Sequence, residues 1–267
     1  MLDSSLKEQL KSIFAGLENN YTLAVTASPQ HDSREELMDL LRGVEACSTM
    51  ISCEESAGEG LSFTLLKNGE PTGISFRGIP TGHEFTSLLL ALLNLDKKGK
   101  NIPDEHIQSR VKSLKGPIKL TTYVSLTCTN CPDVVQALNA MTTLNSEISH
   151  EMVDGGINEK EVEALKIQGV PSVFANGKLI HEKSSTGYEW WDEANGKLVH
   201  VKCTDGSEVW FDYDDTGHII HEKHSDGSEK WYDANGKLLH AKNVDGSETW
   251  FDTNGNEIPM ENASMNR

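Results

Sequence analysis

Two cysteines three positions apart, in Cys128-Thr129-Asn130-Cys131-Pro132, constrain the path of this chain more than any other stretch. The apolar run Tyr123-Val124-Ser125-Leu126 before them reads as the end of a strand. Asp133-Val134-Val135-Gln136-Ala137-Leu138 after them reads as the start of a helix. The first sulfur therefore falls at a helix N-terminus, where unpaired N–H groups and the macrodipole favour a thiolate. Such placement lowers a cysteine pKa from about 8.5 towards the range in which it attacks disulfides at neutral pH. Pro132 suits the first helical turn, where no backbone donor is needed. The same spacing also builds half of many zinc sites. A zinc site would want a second C-x-x-C or Cys/His pair, whereas Cys47, Cys53 and Cys203 are scattered. A redox dithiol is the favoured reading, with a metal half-site as the alternative. Cys128 is then the exposed nucleophile and Cys131, a turn inside, the resolving thiol.

The hydropathy pattern places this motif in the second of three regions. Residues 1–115 read as a helix followed by β-α-β-β-β-α, with a Lys67-Asn68-Gly69 hairpin turn and a closing helix from His83 to Leu95. Residues 116–185 run from a strand at Ile118 through the dithiol helix to about Leu144. A strand, a short helix from Asn158 and a hairpin across Asn176-Gly177 follow. The order β-α-β-α-β-β around a C-x-x-C is the thioredoxin plan, and the chain runs it twice. The first copy holds Ser28-Pro29-Gln30-His31-Asp32 where the dithiol would stand, so it is expected to be a scaffold.

Residues 186–258 repeat, and 259–267 form a tail. Gly196, Gly217, Gly236 and Gly255, then His181, His200, His221 and His240, then Trp191, Trp210, Trp231 and Trp250, all recur at intervals of 19 or 21 residues. Each unit has an Asn-Gly or Asp-Gly signal at the end of a six-residue strand, which predicts a meander of hairpins. The two extra residues of the long unit are assigned to the turn near Tyr213-Asp214. The histidines alternate with apolar residues and Lys, so a cross-strand stack is favoured over a metal array. The expected fold is α/β: two tandem thioredoxin-like folds followed by a β-hairpin repeat meander that loosely resembles YD-type and MORN-like repeats.

Net charge bounds the partners. At −17 the chain is a poor ligand for nucleic acid or anionic membrane. From Thr186 onward 17 acidic residues face 7 basic ones, so the repeats carry −10 of it. No apolar run approaches the ~20 residues that span a bilayer, and Met1-Leu2-Asp3-Ser4 reads as a polar helix start, so no secretory leader is expected. A reducing cytosol is the expected compartment.

From residue 1 to about 180 the chain resembles the N-terminal domain of the flavoprotein component of bacterial alkyl hydroperoxide reductase. The matching segments are Gly82-His83-Glu84-Phe85-Thr86-Ser87-Leu88, the dithiol helix through Asn139, Asp154-Gly155-Gly156, Gly169-Val170-Pro171 and Asn176-Gly177-Lys178. The resemblance implies one dithiol shared by two thioredoxin folds. It also implies electrons from a thioredoxin-reductase-like flavoprotein and delivery to a two-cysteine peroxiredoxin. It makes Glu84 the expected proton carrier, facing the dithiol from the first copy. It makes Pro171 a cis-proline, with Val170, Thr129 and Asn130 beside it as substrate-contacting positions. Thr129 departs from the family, which usually has His there. No G-x-G-x-x-G follows a strand, so FAD and NAD(P)H are expected only on a partner reductase, and no cofactor on this chain.

The expected function is a thiol–disulfide oxidoreductase relaying electrons to a peroxiredoxin-type or other disulfide protein. The competing class is a binding protein. There the repeats engage a partner or a second copy, and the thioredoxin-like pair is a docking scaffold.

Overall fold

The computed structural model describes residues 2–100, 102–184, 187–192, 197–203, 205–252 and 254–259. The chain divides into two compact units, Met1–Gly177 and Lys178–Arg267. The sequence pattern assigns Lys178–Ser184 to the second thioredoxin-like copy, whereas this segment clusters with the second unit.

In the first unit, α1 (Ser4–Phe14) starts on Asp3, whose side chain accepts from Leu6 N at 2.8 Å. In β1 (Tyr21–Ala27) the buried residues are Tyr21, Leu23, Val25 and Ala27, the two-residue period of a strand with one face in the core. α2 (Arg34–Glu45) buries Leu37, Met38, Leu40, Leu41 and Val44, and carries Glu35 and Glu36 in its first turn, where the dipole favours them. β2 (Ile51–Ala57), β3 (Leu61–Lys67) and β4 (Glu70–Arg77) follow. Between β3 and β4, Asn68 and Gly69 both take positive φ (52° and 86°), the tight turn their pairing predicts. A 3-10 turn, Gly82–Glu84, leads into α3 (Phe85–Leu95). The sequence reading missed α4 (Glu105–Ser113), although Asp104 caps it by accepting from Ile107 N at 2.9 Å and Arg110 and Lys112 fill its last turn. Its mostly polar first turns mask the apolar stripe that would have marked it.

β5 (Ile118–Val124), α5 (Cys131–Leu144), β6 (Ile148–Asp154), α6 (Glu159–Ala164) and β7 (Ser172–Ala175) build the second copy. The strand order is β2-β1-β3-β4-β6-β5-β7. β4 pairs parallel with β6, so the two copies share one sheet. One buried cluster crosses that seam, from Leu23, Phe63 and Phe76 to Val124, Cys131, Val135 and Met152. Fully burying each large side chain is worth roughly 1.5–3 kcal/mol. Arg77 of β4 clamps the seam from the other face, pairing with Glu151 of β6 at 3.0 Å and with Glu161 of α6.

The second unit has β8 (Lys178–Ser184), β9 (Gly187–Asp192), β10 (Lys197–Cys203), β11 (Glu208–Tyr213), β12 (Ile219–His224), β13 (Glu229–Tyr232), β14 (Leu238–Lys242), β15 (Glu248–Phe251) and β16 (Glu257–Ile258). Each pairs antiparallel with the next. Among the described residues, none after Glu182 is buried. Among the described side chains, the strands beyond Glu182 therefore form no conventional core.

Stacked rings hold neighbouring strands together instead. His221, Trp231, His240 and Trp250 form a column with centroid separations of 4.7, 4.4 and 3.9 Å, and His200 stacks on Trp210 at 4.9 Å. Three details differ from the sequence reading. In backbone register His181 and His200 both face Trp190, not Trp191; against β10 the register slips between Leu198 and His200. The two extra residues of the long unit lie in β11, not in the turn. As a result Trp210 faces Lys223, and Asp212 faces His221. The turns are also not two-residue turns with paired positive φ. Gly227 N donates to His224 O at 3.0 Å and His224 N to Ser228 O at 2.9 Å, a three-residue loop in which glycine alone is left-handed. The reason is local capture: Asp226 Oδ1 accepts from Ser228 N at 2.9 Å, and Asp233 Oδ1 accepts from Asn235 N and Lys237 N in the alternate turns.

Candidate dithiol site

β5 ends at Val124, and a turn closed by Cys128 N donating to Ser125 O at 2.9 Å delivers Cys128 to the start of α5. Cys128 and Cys131 are disulfide-bonded with Cα atoms 5.5 Å apart. Cys131 is fully buried, whereas Cys128 is half-buried against the core cluster. Asn130 occupies the N-cap position without a side-chain cap. The sulfur takes its place: Cys131 N donates to Cys128 Sγ at 3.2 Å, with Pro132 in the first turn beyond. A thiolate at that sulfur would gain both the amide and the helix dipole.

Val170 O lies 3.8 Å from Cys128 Sγ, and the Val170–Pro171 peptide is cis. Thr129 and Asn130 are exposed beside them. Thr129, Asn130 and the half-buried Val170 thus flank the exposed edge of the dithiol, whereas Pro171 is buried. A second cis peptide, Gly116–Pro117, precedes β5 and had no sequence signal beyond the proline.

Glu84 ends the 3-10 turn that packs on α5 and on the dithiol loop. A Cβ on Gly82, whose φ is +55°, would meet Leu126 O at 2.7 Å, so this close approach requires glycine. His83 N points at Leu126 O, 3.5 Å away. Glu84 is fully buried, and neither carboxylate oxygen has a hydrogen-bond partner among the described residues. Burial pushes its pKa up to about 7, with the Ser87 hydroxyl tempering the shift without reaching bonding geometry. The turn places this carboxyl at a different helix start from the dithiol, and the β4–β6 pairing brings those two helix starts to one end of the sheet.

Thr122, six residues before Cys128, carries no charge. Its hydroxyl bonds His150 Nε2 at 2.8 Å, and His150 Nδ1 bonds Asn139 Oδ1 at 2.7 Å. All three are buried, and burial drives the His150 pKa down to about 3. The imidazole is neutral, so this network holds α5 to β5 and β6 without titrating near neutral pH. Sequence reading missed His150 and Asn139, since each is one polar residue within an otherwise regular pattern.

A thioredoxin-domain family model matches residues 118–182. The chain is similar to NADH dehydrogenase of Bacillus subtilis (strain 168), with 41% identity over 179 residues, which cover 67% of this chain and 35% of that protein. The F component of alkyl hydroperoxide reductase of Staphylococcus aureus (strain NCTC 8325 / PS 47) is also 41% identical over 179 residues, covering 67% and 34%. The chain spans about a third of the length of these curated relatives. Among solved structures, the NTD_N/C domain of alkylhydroperoxide reductase AhpF from Enterococcus faecalis superposes with a TM-score of 0.62 at 31% identity, over 67% of this chain and 93% of that one. A protein disulfide oxidoreductase from Aeropyrum pernix shares the fold, with a TM-score of 0.58 at 21% identity over 67% and 87%.

A strand–turn–helix disulfide beside a cis-proline, on this sheet, defines the thioredoxin class of thiol–disulfide oxidoreductases. Within that class, residues 1 to about 180 belong to the family of N-terminal domains of alkyl hydroperoxide reductase AhpF.

Proposed function

We propose that the chain relays electrons from a separate flavoprotein reductase to a peroxiredoxin-type or other protein disulfide. The observation that carries this reading is the Cys131 amide aimed at Cys128 Sγ over a fully buried Cys131. In the reduced state the Cys128 thiolate attacks a substrate disulfide, forming a mixed disulfide and releasing one substrate thiolate. Cys131 then gives its proton to Glu84 and attacks Cys128 Sγ. The second substrate thiolate leaves, and the Cys128–Cys131 disulfide forms. Two electrons have passed to the substrate, and a flavoprotein dithiol restores the pair by the reverse exchange. FAD and NAD(P)H act only on that partner, and Thr129, Asn130, Val170 and Pro171 contact the substrate. The cytoplasm, where glutathione and thioredoxin systems keep thiols reduced, suits this direction of flow.

The second unit reads as a β-hairpin repeat of the YD or MORN kind that selects the partner, or pairs two copies. The lack of buried residues beyond Glu182 among those described, and the exposure of Trp210, support a surface role. Replacing Cys131 with Ser should trap the physiological partner as a mixed disulfide on Cys128, identifiable by mass spectrometry. Cys128→Ser should abolish disulfide reduction while sparing partner binding. If wild-type protein neither forms the disulfide nor is reduced by any thioredoxin reductase, the relay fails and the binding-protein reading stands.

A further inference from the structure

Glu84 and the dithiol stand at the starts of two helices that pack on each other, α3 and α5. A side-chain bridge joins those helices. Gln136 of α5 donates from Nε2 to Ser87 Oγ of α3 at 3.4 Å. Ser87 lies one helical turn beyond Glu84, so the two side chains are neighbours at the helix start. Both are fully buried, and Gln136 is half-buried. Gln136 itself follows Cys131 on the helix that the dithiol opens.

The bridge fixes which way the Ser87 hydroxyl can point. An amide nitrogen only donates, so Ser87 Oγ accepts in this bond and its own hydrogen is left for another group. The two Glu84 oxygens, buried and without a partner among the described residues, stand one turn back. The hydroxyl favours the charged form of Glu84, against the larger opposing push of burial. The titratable residues on the elements packed there are few. They are His83 in the same turn and Asp133 in the first turn of α5, both exposed, and Cys128 and Cys131 of the dithiol. α3 carries none. Among the described residues, the Ser87 hydroxyl is thus the group that supports a charge on Glu84.

We propose that Ser87 and Gln136 are positioning residues of the dithiol centre: Gln136 turns the Ser87 hydroxyl towards Glu84, which keeps a charged carboxylate ready to take the Cys131 proton. The inference rests on the relay reading above. The proton passes from Cys131 Sγ to a Glu84 oxygen, and the hydroxyl bond to the carboxylate weakens as its charge is lost.

The test is a titration of Glu84 by carbon-13 NMR in the full chain labelled at glutamate, with the disulfide intact and Glu84→Gln assigning the resonance. Ser87→Ala should raise the Glu84 midpoint by about one unit, since a hydrogen bond to a charged group is lost. Gln136→Met leaves the hydroxyl in place but frees it to turn, and should raise the midpoint by less. An unmoved midpoint in either variant would overturn the proposal. So would a fall in Gln136→Met, which would mean that the hydroxyl had pointed at Gln136 instead. A purely structural role would change the thermal midpoint alone. The titration needs no substrate, so a chain inactive towards every disulfide would sink the relay while the Glu84 midpoint still decides on Ser87 and Gln136.

Discussion

Two carboxyls of the first unit are pushed in opposite directions, and their consequences for stability have opposite signs. Glu84 has a folded pKa of about 7 against an ordinary value of 4.5. The folded state therefore binds its proton more tightly, and the associated stability is present below pH 4.5 and lost as pH rises through 7. The whole span is worth up to about 3 kcal/mol. Glu84→Gln should flatten this part of the urea midpoint against pH, and should slow the resolving step at neutral pH if Glu84 accepts the proton. Asp96 shows the reverse. Burial opposes its ionisation, yet hydrogen bonds from Asn19, Glu18 N, Tyr21 and Lys98 outweigh it and bring the pKa down from 3.8 to about 2. That contribution, about 2 kcal/mol, is present above pH 3.8 and lost as pH falls through 2. Asp96→Asn should lower the neutral-pH unfolding free energy by that amount, with no further loss on acidification. The dithiol was legible from spacing and context alone, because the helix N-terminus is a local feature. The burial of Glu84 was not, since it depends on the β4–β6 pairing, which joins residues far apart in sequence. The neutral Thr122–His150–Asn139 network was illegible for the same reason.

At the scale of elements, apolar period and punctuation located most strands and helices, while the fine form of the turns escaped. Asn-Gly and Asp-Gly marked most loops of the second unit, but an aspartate side chain that holds two or three backbone amides selects the longer, bulged turn. Asp233→Ala should therefore cost about 1 kcal/mol through loss of the amide bonds to Asn235 and Lys237. Gly236→Ala should cost a similar amount through its φ of +80°. Both are measurable as shifts in the urea midpoint followed by tryptophan fluorescence. The ladder partner Trp190 and the lengthened β11 were hidden because equal spacing in sequence does not reveal a bulge. α4 was missed although its aspartate cap was in view.

Across the whole molecule, stability has two different origins. The first unit buries a continuous apolar cluster, whereas the described strands of the second beyond Glu182 rely on ring stacking and backbone ladders with no buried side chain. Hydrogen exchange should separate them: amides of β1, β5 and β6 should exchange through the highest-energy opening, and those of β13 to β16 orders of magnitude faster through local opening. Equal protection in both would contradict this division. The break in the ring column between Trp210 and His221 has a further consequence. A sheet of identical units could slide one hairpin past the next, or trade hairpins with a neighbouring chain, at little cost. The odd unit acts as a phase mark. Any displacement by one repeat sets tryptophan against lysine and aspartate against histidine at the wrong strand, so the array has one setting in which all its rings mesh.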